Sequence, residues 1–508
     1  MLKLAWPGLL ISLGILAGCG GNSTYGPPPP EQPSAPVNAS VTVSNTQTGI
    51  FDVALSTSFQ PAEWDYTFFQ DFPGALTPLG NLKPNHIRLQ GVSQGVPQGS
   101  AGSPSEAWDF TKLDAIVQPV LGVGDHSPEF QIAKAPPFMY VSDDSSKAFN
   151  DPGFAQFANY AKELVEYYDT GGFTDSSNNT HVSPAYPGEK ITYWGIYNEP
   201  SINNSLTATD YVNMYNAVVP AMQSADSSLK YVAMELCCSS EDWAKTFAQN
   251  VTPGLPVDVV ATHYYSSCDQ TDTDAELFAT VPGFASSVQT IYANLATNPA
   301  LKNVPVWITE NNVNADFEGA NGMSTCNPGQ PFVADKRGSS AFFAAWRPYV
   351  FSQVGKAGAR ALYHWDFAAD AQYGELDGST GQTQLSYWVD YWLGQTFPQF
   401  SSGTAQLLQS TNSDDADIEA LALSNPDGSV SILISDHAVA SPSDNNGEGL
   451  GASVKLDTSA LGSFSSATEV MIDAGTSPIT GPSPTTIAPQ SPITVNFTGY
   501  GVAFITLK

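Results

Sequence analysis

Between residues 51 and 397, short apolar runs of strand character alternate with longer runs of helical spacing, and this alternation constrains the fold more than any single motif. Eight strand candidates can be read, at 53–57, 86–91, 130–135, 191–197, 231–236, 257–265, 304–309 and 359–367. Helical spacing is clearest at 151–168, where Phe154, Phe157, Ala158, Ala161, Leu164 and Val165 return once per turn. Further helices are expected at 108–120 (capped by Asp109 or Thr111), 208–225, within 275–296, and 340–357. Parallel strands need crossover connections, and helical crossovers cover the sheet they join. Eight such units predict an α/β architecture, a (β/α)8 or TIM barrel. In the run 86–91, His86, Arg88 and Gln90 share one face and Ile87 and Leu89 the other. Apolar residues turned out beneath helices and polar residues turned in suit the upper interior of such a barrel.

After residue 400 the texture changes. The runs 429–434, 452–456, 468–472 and 501–507 are short and alternating, and turns rich in Ser, Gly, Pro and Asn separate them. This pattern predicts a C-terminal antiparallel β-sandwich domain over 398–508, following a barrel over 51–397. The alternating run 37–43 is cut off from the barrel by residues 44–49, so segment 37–50 is expected to join the sandwich as an extra strand.

The N-terminus has the features of a targeting segment. Lys3 supplies a positive start, and the apolar run 9–16 is too short for a comfortable membrane span. Leu16-Ala17-Gly18-Cys19 resembles a bacterial lipoprotein cleavage box, which makes 1–18 the signal peptide and Cys19 the lipidation site. Residues 19–36, with Pro27 to Pro30 in succession, read as a semi-rigid tether. The expectation is an exported protein, lipid-anchored to the bacterial membrane on the periplasmic side or at the cell surface.

Charge narrows the partners. The 18 Lys+Arg residues face 49 Asp+Glu, a formal net charge of -31, which excludes nucleic acid and anionic lipid surfaces as natural partners. It also suits an acidic milieu, where protonation relieves self-repulsion. No metal or other cofactor is expected: the six histidines have no ligand spacing, and there is no glycine-rich phosphate loop or nucleotide fingerprint.

Two strand ends carry the chemistry. The stretch 194–200 reads Trp-Gly-Ile-Tyr-Asn-Glu-Pro. Pro200 cannot donate to a strand ladder, so the strand stops there and presents Glu199 behind the amide of Asn198. The stretch 306–311, Val-Trp-Ile-Thr-Glu-Asn, likewise ends an apolar strand in a carboxylate, Glu310. Two glutamates at two strand ends are what cleavage of a glycosidic bond needs.

From the second strand onward, these motifs in this order resemble glycoside hydrolase family 39, within the larger clan of retaining (β/α)8 glycosidases. The matching segments are 86–91, 108–114, 194–200, 258–265 and 308–312. The chain departs from the family pattern at Gln90, where members usually show histidine, and at Glu235-Leu236-Cys237-Cys238. The resemblance implies that Glu199 is the general acid/base and Glu310 the nucleophile of a double displacement. Asn198 would bind the sugar 2-hydroxyl. Tyr265 would orient Glu310, with His263 beside it either touching substrate or serving the core. Trp365 would form the floor beneath the sugar, since an aromatic face suits a pyranose. Arg88, beside Gln90, reads as the cationic partner of Glu310 or as a structural ion pair inside the barrel. Glu235 is a third candidate carboxylate, able to bind a sugar hydroxyl.

The implied activity is that of a retaining, exo-acting, β-xylosidase-like hydrolase of plant or microbial oligosaccharides. The alternatives are an endo-glycanase or β-glucuronidase of the same clan, or a non-catalytic sugar-binding lipoprotein; the presence of both glutamates disfavours the last. Besides Cys19 there are four cysteines, Cys237, Cys238, Cys268 and Cys326, gathered over neighbouring strand ends. In an oxidising compartment, the reach of the Gly- and Asn-rich loop around Cys326 favours a Cys268–Cys326 bond. Cys237 and Cys238 are then left as a vicinal bridge or as thiols.

Overall fold

The computed structural model describes residues 36–59, 66–91, 108–124, 127–143, 146–188, 190–203, 206–237 and 240–508. The signal segment, Cys19, nearly all of the tether, the loop 92–107 and Cys238 lie outside the described residues.

Eight strands close a barrel in which every neighbouring pair is parallel. The N-terminal strand β1 (Val37–Phe51) lies outside it. The barrel strands are β2 (Ala54–Phe59), β3 (Ile87–Gly91), β4 (Glu129–Ile132), β5 (Tyr193–Ile196), β6 (Lys230–Leu236), β7 (Val259–Ser267), β8 (Val306–Asn314) and β9 (Ala361–His364). A principal helix follows each in turn: α1 (Leu76–Leu82), α2 (Thr111–Leu121), α3 (Ala155–Asp169), α4 (Ala208–Ala225), α5 (Glu241–Asn250), α6 (Asp274–Leu295), α7 (Ala341–Lys356) and α8 (Leu385–Thr396). The capping box of α4 shows why such a helix starts where it does. Thr207 Oγ1 accepts the Asp210 N–H, and the Asp210 carboxylate accepts the Thr207 N–H. Helix α3 begins at Ala155 rather than at 151, because the Asp151 carboxylate is turned to the Gly153 and Gln156 N–H groups (3.0 and 3.1 Å).

The lower interior of the barrel is apolar and aromatic. Ala54, Val232, Val259, Ala261, Trp307, Ala361 and Tyr363 pack there, with His86 over Trp307 at a ring separation of 4.4 Å. Polar side chains begin one layer higher, as the inward face of 86–91 requires. The outward faces of the strands join the helices in one large hydrophobic core.

Among the described residues outside the barrel, one curled, mostly antiparallel nine-stranded sheet is accompanied by two short two-stranded ones. Its C-terminal members are β10 (Ala405–Asn412), β11 (Ile418–Ser424), β12 (Val430–Asp436), β13 (Ala452–Asp457), β14 (Ala467–Asp473), β15 (Thr485–Ile487), β16 (Ile493–Asn496) and β17 (Gly501–Leu507). The order is β15-β14-β17-β12-β11-β10-β1-β13-β16. Strand β1 pairs antiparallel with β10 and parallel with β13, so the chain starts in this sheet before it enters the barrel. Helix α7 is buried along most of its length between barrel and sheet. Ser435 Oγ donates to the Ala345 carbonyl (2.9 Å), and Gln353 Nε2 to Glu419 Oε2 (2.9 Å).

Candidate active site

The C-terminal ends of the barrel strands bring most of the expected residues into one cluster. Glu199 follows β5, and Glu310 lies on β8. Between them His263, on β7, points Nδ1 at Glu199 Oε1 (2.8 Å) and lies 3.5 Å from Glu310 Oε2. One atom from each of the three side chains falls within 4.8 Å of the other two. Tyr265, two residues along β7, donates its hydroxyl to Glu310 Oε2 (2.8 Å). Two left-handed residues turn the acid after β5 inward, Tyr197 (φ 69°) and Glu199 itself (φ 43°). Non-glycine residues seldom occupy this region except where the surroundings hold them, and such strain concentrates at functional sites.

Arg88 lies beneath, fully buried. Its Nη1 donates to Glu310 Oε1 and to Gln90 Oε1, both at 3.0 Å. Nη2 reaches Asn198 Oδ1 (3.2 Å) and Glu235 Oε2 (2.9 Å), and Nε reaches the same Glu235 oxygen (3.1 Å). Gln131 Nε2 also donates to Asn198 Oδ1 (2.8 Å), so two donors fix that amide's orientation. Trp365 donates Nε1 to Gln90 Oε1 (3.0 Å) and stands edge-on to Tyr373, with ring centroids 4.6 Å apart. Gln90 thus links the cationic centre to the aromatic floor. Asn311, next to Glu310, is held from the outer side, where its side-chain oxygen accepts from Arg347 Nη1.

Burial bears on two of the expectations. Glu235 was read as a possible sugar contact, but its side chain is fully enclosed and its Oε2 accepts from Arg88 and from Thr309 (3.0 Å). It lies beneath Glu310 and Asn198, joined to both through Arg88, with no side-chain surface open to the mouth. His263 is also enclosed, which places it between carboxylates rather than on the open surface.

Electrostatics follow from this packing. Burial acts to lower the His263 pKa, but the charges of Glu310, Glu199 and Glu235 outweigh it and hold the imidazole at about 9. Burial raises Glu310, and Glu199 adds to this, while His263 and Arg88 pull the other way; the net direction is upward. Burial opposes Arg88, yet Glu235, Glu310 and Glu129 hold it above its ordinary value. The site can therefore keep one carboxyl against two cations and another on an imidazolium, an arrangement suited to paired acid–base and nucleophilic work.

A second buried trio, His364, Glu375 and Asp390, also brings three possible ligand atoms together. There both His364 ring nitrogens already meet oxygens, Asp390 Oδ2 and the Tyr373 carbonyl, each at 2.7 Å. Arg347 pairs with the other Asp390 oxygen (2.9 Å), and Glu375 Oε2 accepts from the Thr57 hydroxyl (2.7 Å), so each of the three already has a protein partner.

The rim is anchored. Cys268, after the end of β7, is bonded to Cys326 in the loop after β8, with Cα atoms 5.7 Å apart. Cys237 is disulfide-bonded as well. Gln372 Nε2 donates to the Asp316 carbonyl (2.6 Å), and Arg337 bridges Asp335 (2.7 Å) and Asp274 (3.0 Å). Beside Trp365 opens a cleft of about 520 Å³, lined by Phe68, Phe317, Trp365, Tyr373 and Asp377 among others.

Glu129, Gln131, Thr309 and Tyr373 belong to this network without having been singled out from sequence. Glu129 and Gln131 alternate on β4 as Arg88 and Gln90 do on β3, and that inward polar face was the available signal.

These features define a class by architecture: a (β/α)8 barrel carrying a mostly antiparallel β-domain. No family model and no curated protein matches the sequence. Solved structures do match in fold. The GH39 enzyme from Xanthomonas axonopodis pv. citri superposes with a TM-score of 0.61 at 13% identity, over 94% of this chain and 98% of that one. A monomeric β-xylosidase from Caulobacter crescentus gives 0.61 at 14%, over 93% and 99%. A glucosidase from Croceicoccus marinus gives 0.56 at 16%, over 94% and 99%. The chain therefore shares the fold of these solved structures over nearly its whole length, at low identity.

Proposed function

We propose that this chain is a retaining, exo-acting glycoside hydrolase of the β-xylosidase type, with Glu199 as general acid/base and Glu310 as nucleophile. The observation that carries the reading is the convergence of these two carboxyl groups at one barrel mouth, with oxygens within 4.8 Å of each other. Retaining enzymes hold their carboxyl groups about 5–5.5 Å apart, whereas inverting enzymes leave about 6.5–9.5 Å for a water. In this reading Glu310 attacks the anomeric carbon while Glu199 gives its proton to the leaving oxygen. Water then attacks the glycosyl–enzyme ester with Glu199 as base, returning Glu199 to its acid form and Glu310 to its carboxylate. Arg88 and Tyr265 aim Glu310, and Trp365 supports the ring.

A screen of aryl glycosides in mildly acidic buffer tests the activity, with aryl β-xylosides expected to be cleaved and the product's anomeric configuration kept by NMR. An activated fluoro-sugar should label the wild type and not Glu310→Gln. Labelling of that variant, or an inverted product, overturns the mechanism. The cleft beside Trp365 favours one second reading, an endo-glycanase, which would release oligomers from xylan before any monosaccharide. The same proposal places the enzyme on a membrane through lipid at Cys19, outside the described residues. Cys19→Ser should move it to the soluble fraction.

A further inference from the structure

Glu129 Oε1 and Glu235 Oε1, both fully enclosed, are among the atoms beneath the site that have no donor, with Gln131 Oε1 and His263 Nε2 beside them. Everything else on these two carboxyl groups is satisfied. Glu129 Oε2 accepts from the Tyr363 hydroxyl (2.8 Å), and Glu235 Oε2 takes three donors, two from Arg88 and one from Thr309. The groups are neighbours: Arg88 Nε lies 3.1 Å from Glu235 Oε2 and 3.9 Å from Glu129 Oε1, so one guanidinium nitrogen lies against both carboxyl groups. Gly195 on β5 leaves the room that Glu235 Oε1 occupies, since a Cβ there would sit 2.2 Å from that oxygen. An enclosed oxygen without a donor is costly, and a single proton shared between two neighbouring carboxyl groups satisfies one oxygen of each.

We infer that Glu129 and Glu235 hold one proton between them, and that this singly charged pair is a positioning device, with Glu129 donating to Glu235 Oε1 while Glu235 anchors Arg88 and backs His263 Nε2. The inference rests on the reading of Glu199 and Glu310 as the reacting carboxyls. Three links connect the pair to them. Arg88 is shared between Glu235 and Glu310. His263, whose Nε2 is 3.6 Å from Glu235 Oε2 and otherwise without a hydrogen-bond partner, holds Glu199 through Nδ1. The Glu199 N–H donates to the Glu235 carbonyl (3.0 Å). Glu235 shares the strained backbone of Glu199: it and Met234 are left-handed (φ 44° and 80°), at a bulge in the β6–β7 register between Ala233 and Leu236.

With two negative charges, the pair would compete with Glu310 for the one guanidinium beneath the site. With none, Arg88 and His263 would be opposed by the catalytic carboxyls alone. One charge leaves Arg88 shared and His263 cationic. The charged and titratable groups facing the pair are Arg88 from β3, His263 from β7, Glu310 from β8, Tyr363 from β9 and Tyr211 from α4. Burial, and then the Glu235 charge, push Glu129 well above the usual carboxylate range. Burial opposes ionisation of Glu235, but Arg88 and His263 outweigh it and hold Glu235 at about 2.

The test uses the full chain and two isosteric variants, Glu129→Gln and Glu235→Gln. Infrared spectra of glutamate-labelled protein at neutral pH should show a protonated-carboxyl band that Glu129→Gln removes. Nitrogen-15 NMR of the histidines should place the His263 midpoint about one pKa unit or more lower in Glu235→Gln, while Glu129→Gln, whose amide N–H replaces the O–H, leaves it in place. The alkaline limb of the pH–rate profile should move with His263. An unchanged infrared band in Glu129→Gln, or equal His263 shifts in both variants, overturns the inference. The infrared comparison needs only the wild type and Glu129→Gln, so it decides the shared proton even if Glu235→Gln fails to fold. Neither spectroscopic readout needs turnover. If they appear as expected while no glycoside is cleaved, the glycosidase reading fails and the shared proton stands.

Discussion

Replacing Arg88 by Met is the most searching perturbation of this site. The change keeps a stem of similar length and removes the guanidinium that touches Glu310, Gln90, Asn198 and Glu235. Without it, Glu235 Oε2 keeps only Thr309 as donor, and Glu310 keeps Tyr265 and the more distant His263. Removing one partner of a buried ion pair costs roughly 3–5 kcal/mol, because the other charge stays enclosed. The orphaned carboxylates can escape by taking up protons, so the cost should be largest at neutral pH and shrink in acid. On the proposed mechanism the same uptake would disarm Glu310 as the nucleophile, and the rate should fall by about a hundredfold or more, as when a preorganised electrostatic donor is removed. Urea denaturation at neutral and at acidic pH measures the first effect, and fluoro-sugar labelling the second. The double variant Arg88→Met, Glu235→Gln should recover part of the stability without recovering the rate, since one of the orphaned charges is gone. A loss below about 1 kcal/mol at neutral pH, or one that does not change with pH, would refute the argument that Arg88 is the counter-charge of this layer.

Three further outcomes follow from the same geometry. Replacing Cys268 and Cys326 by Ala opens a 58-residue closure and should cost about 4 kcal/mol on the chain-entropy argument, read as a lower urea midpoint; an unchanged midpoint contradicts it. Trp365→Ala removes the ring that borders both the catalytic cluster and the cleft, and kcat/KM on glycosides should fall by roughly tenfold to a hundredfold, for ~1.5–3 kcal/mol of lost apolar contact. Burial raises Asp169 to about 7 and Asp436 to about 8, so the stability each contributes is complete in acid and is lost as pH rises through those values. His263, held at about 9, loses its contribution at still higher pH, whereas Glu235, held at about 2, loses its own only as pH falls towards that value. Thermal stability should therefore peak in mildly acidic solution, and a melting temperature higher at alkaline than at mildly acidic pH would contradict this.

The barrel was legible because each strand keeps an apolar outer face and the segments between carry helical spacing. The inner face was legible only where strict alternation holds. It holds at Arg88 and Gln90. It fails at Glu310, since Trp307 and Thr309 already point inward and a strict period of two would send Glu310 out. A register shift between Ile308 and Glu310 brings it in, so motif and not periodicity identified it. The same holds for Glu235, which an irregularity after Ala233 turns to the face already used by Val232. Glu129 was passed over for a plainer reason: the apolar run begins at Phe130, and the strand begins one residue earlier.

The two register shifts fall on neighbouring pairs, β6–β7 and β7–β8, and β7 runs between them carrying His263 and Tyr265. A regular parallel strand end delivers one inward side chain every second residue, about 6–7 Å apart along the strand. Paired carboxylate chemistry needs several groups closer together than that. The bulges supply the density by turning Glu235 and Glu310 inward on either side of His263, and the left-handed residues at 197 and 199 bring Glu199 over the same point. The concentrated negative charge is then held by Arg88 and His263, above the packed apolar and aromatic layer of the lower barrel. Density of inward groups, local backbone strain and enclosed counter-charge are thus three aspects of one arrangement, and relaxing any one of them should loosen the other two.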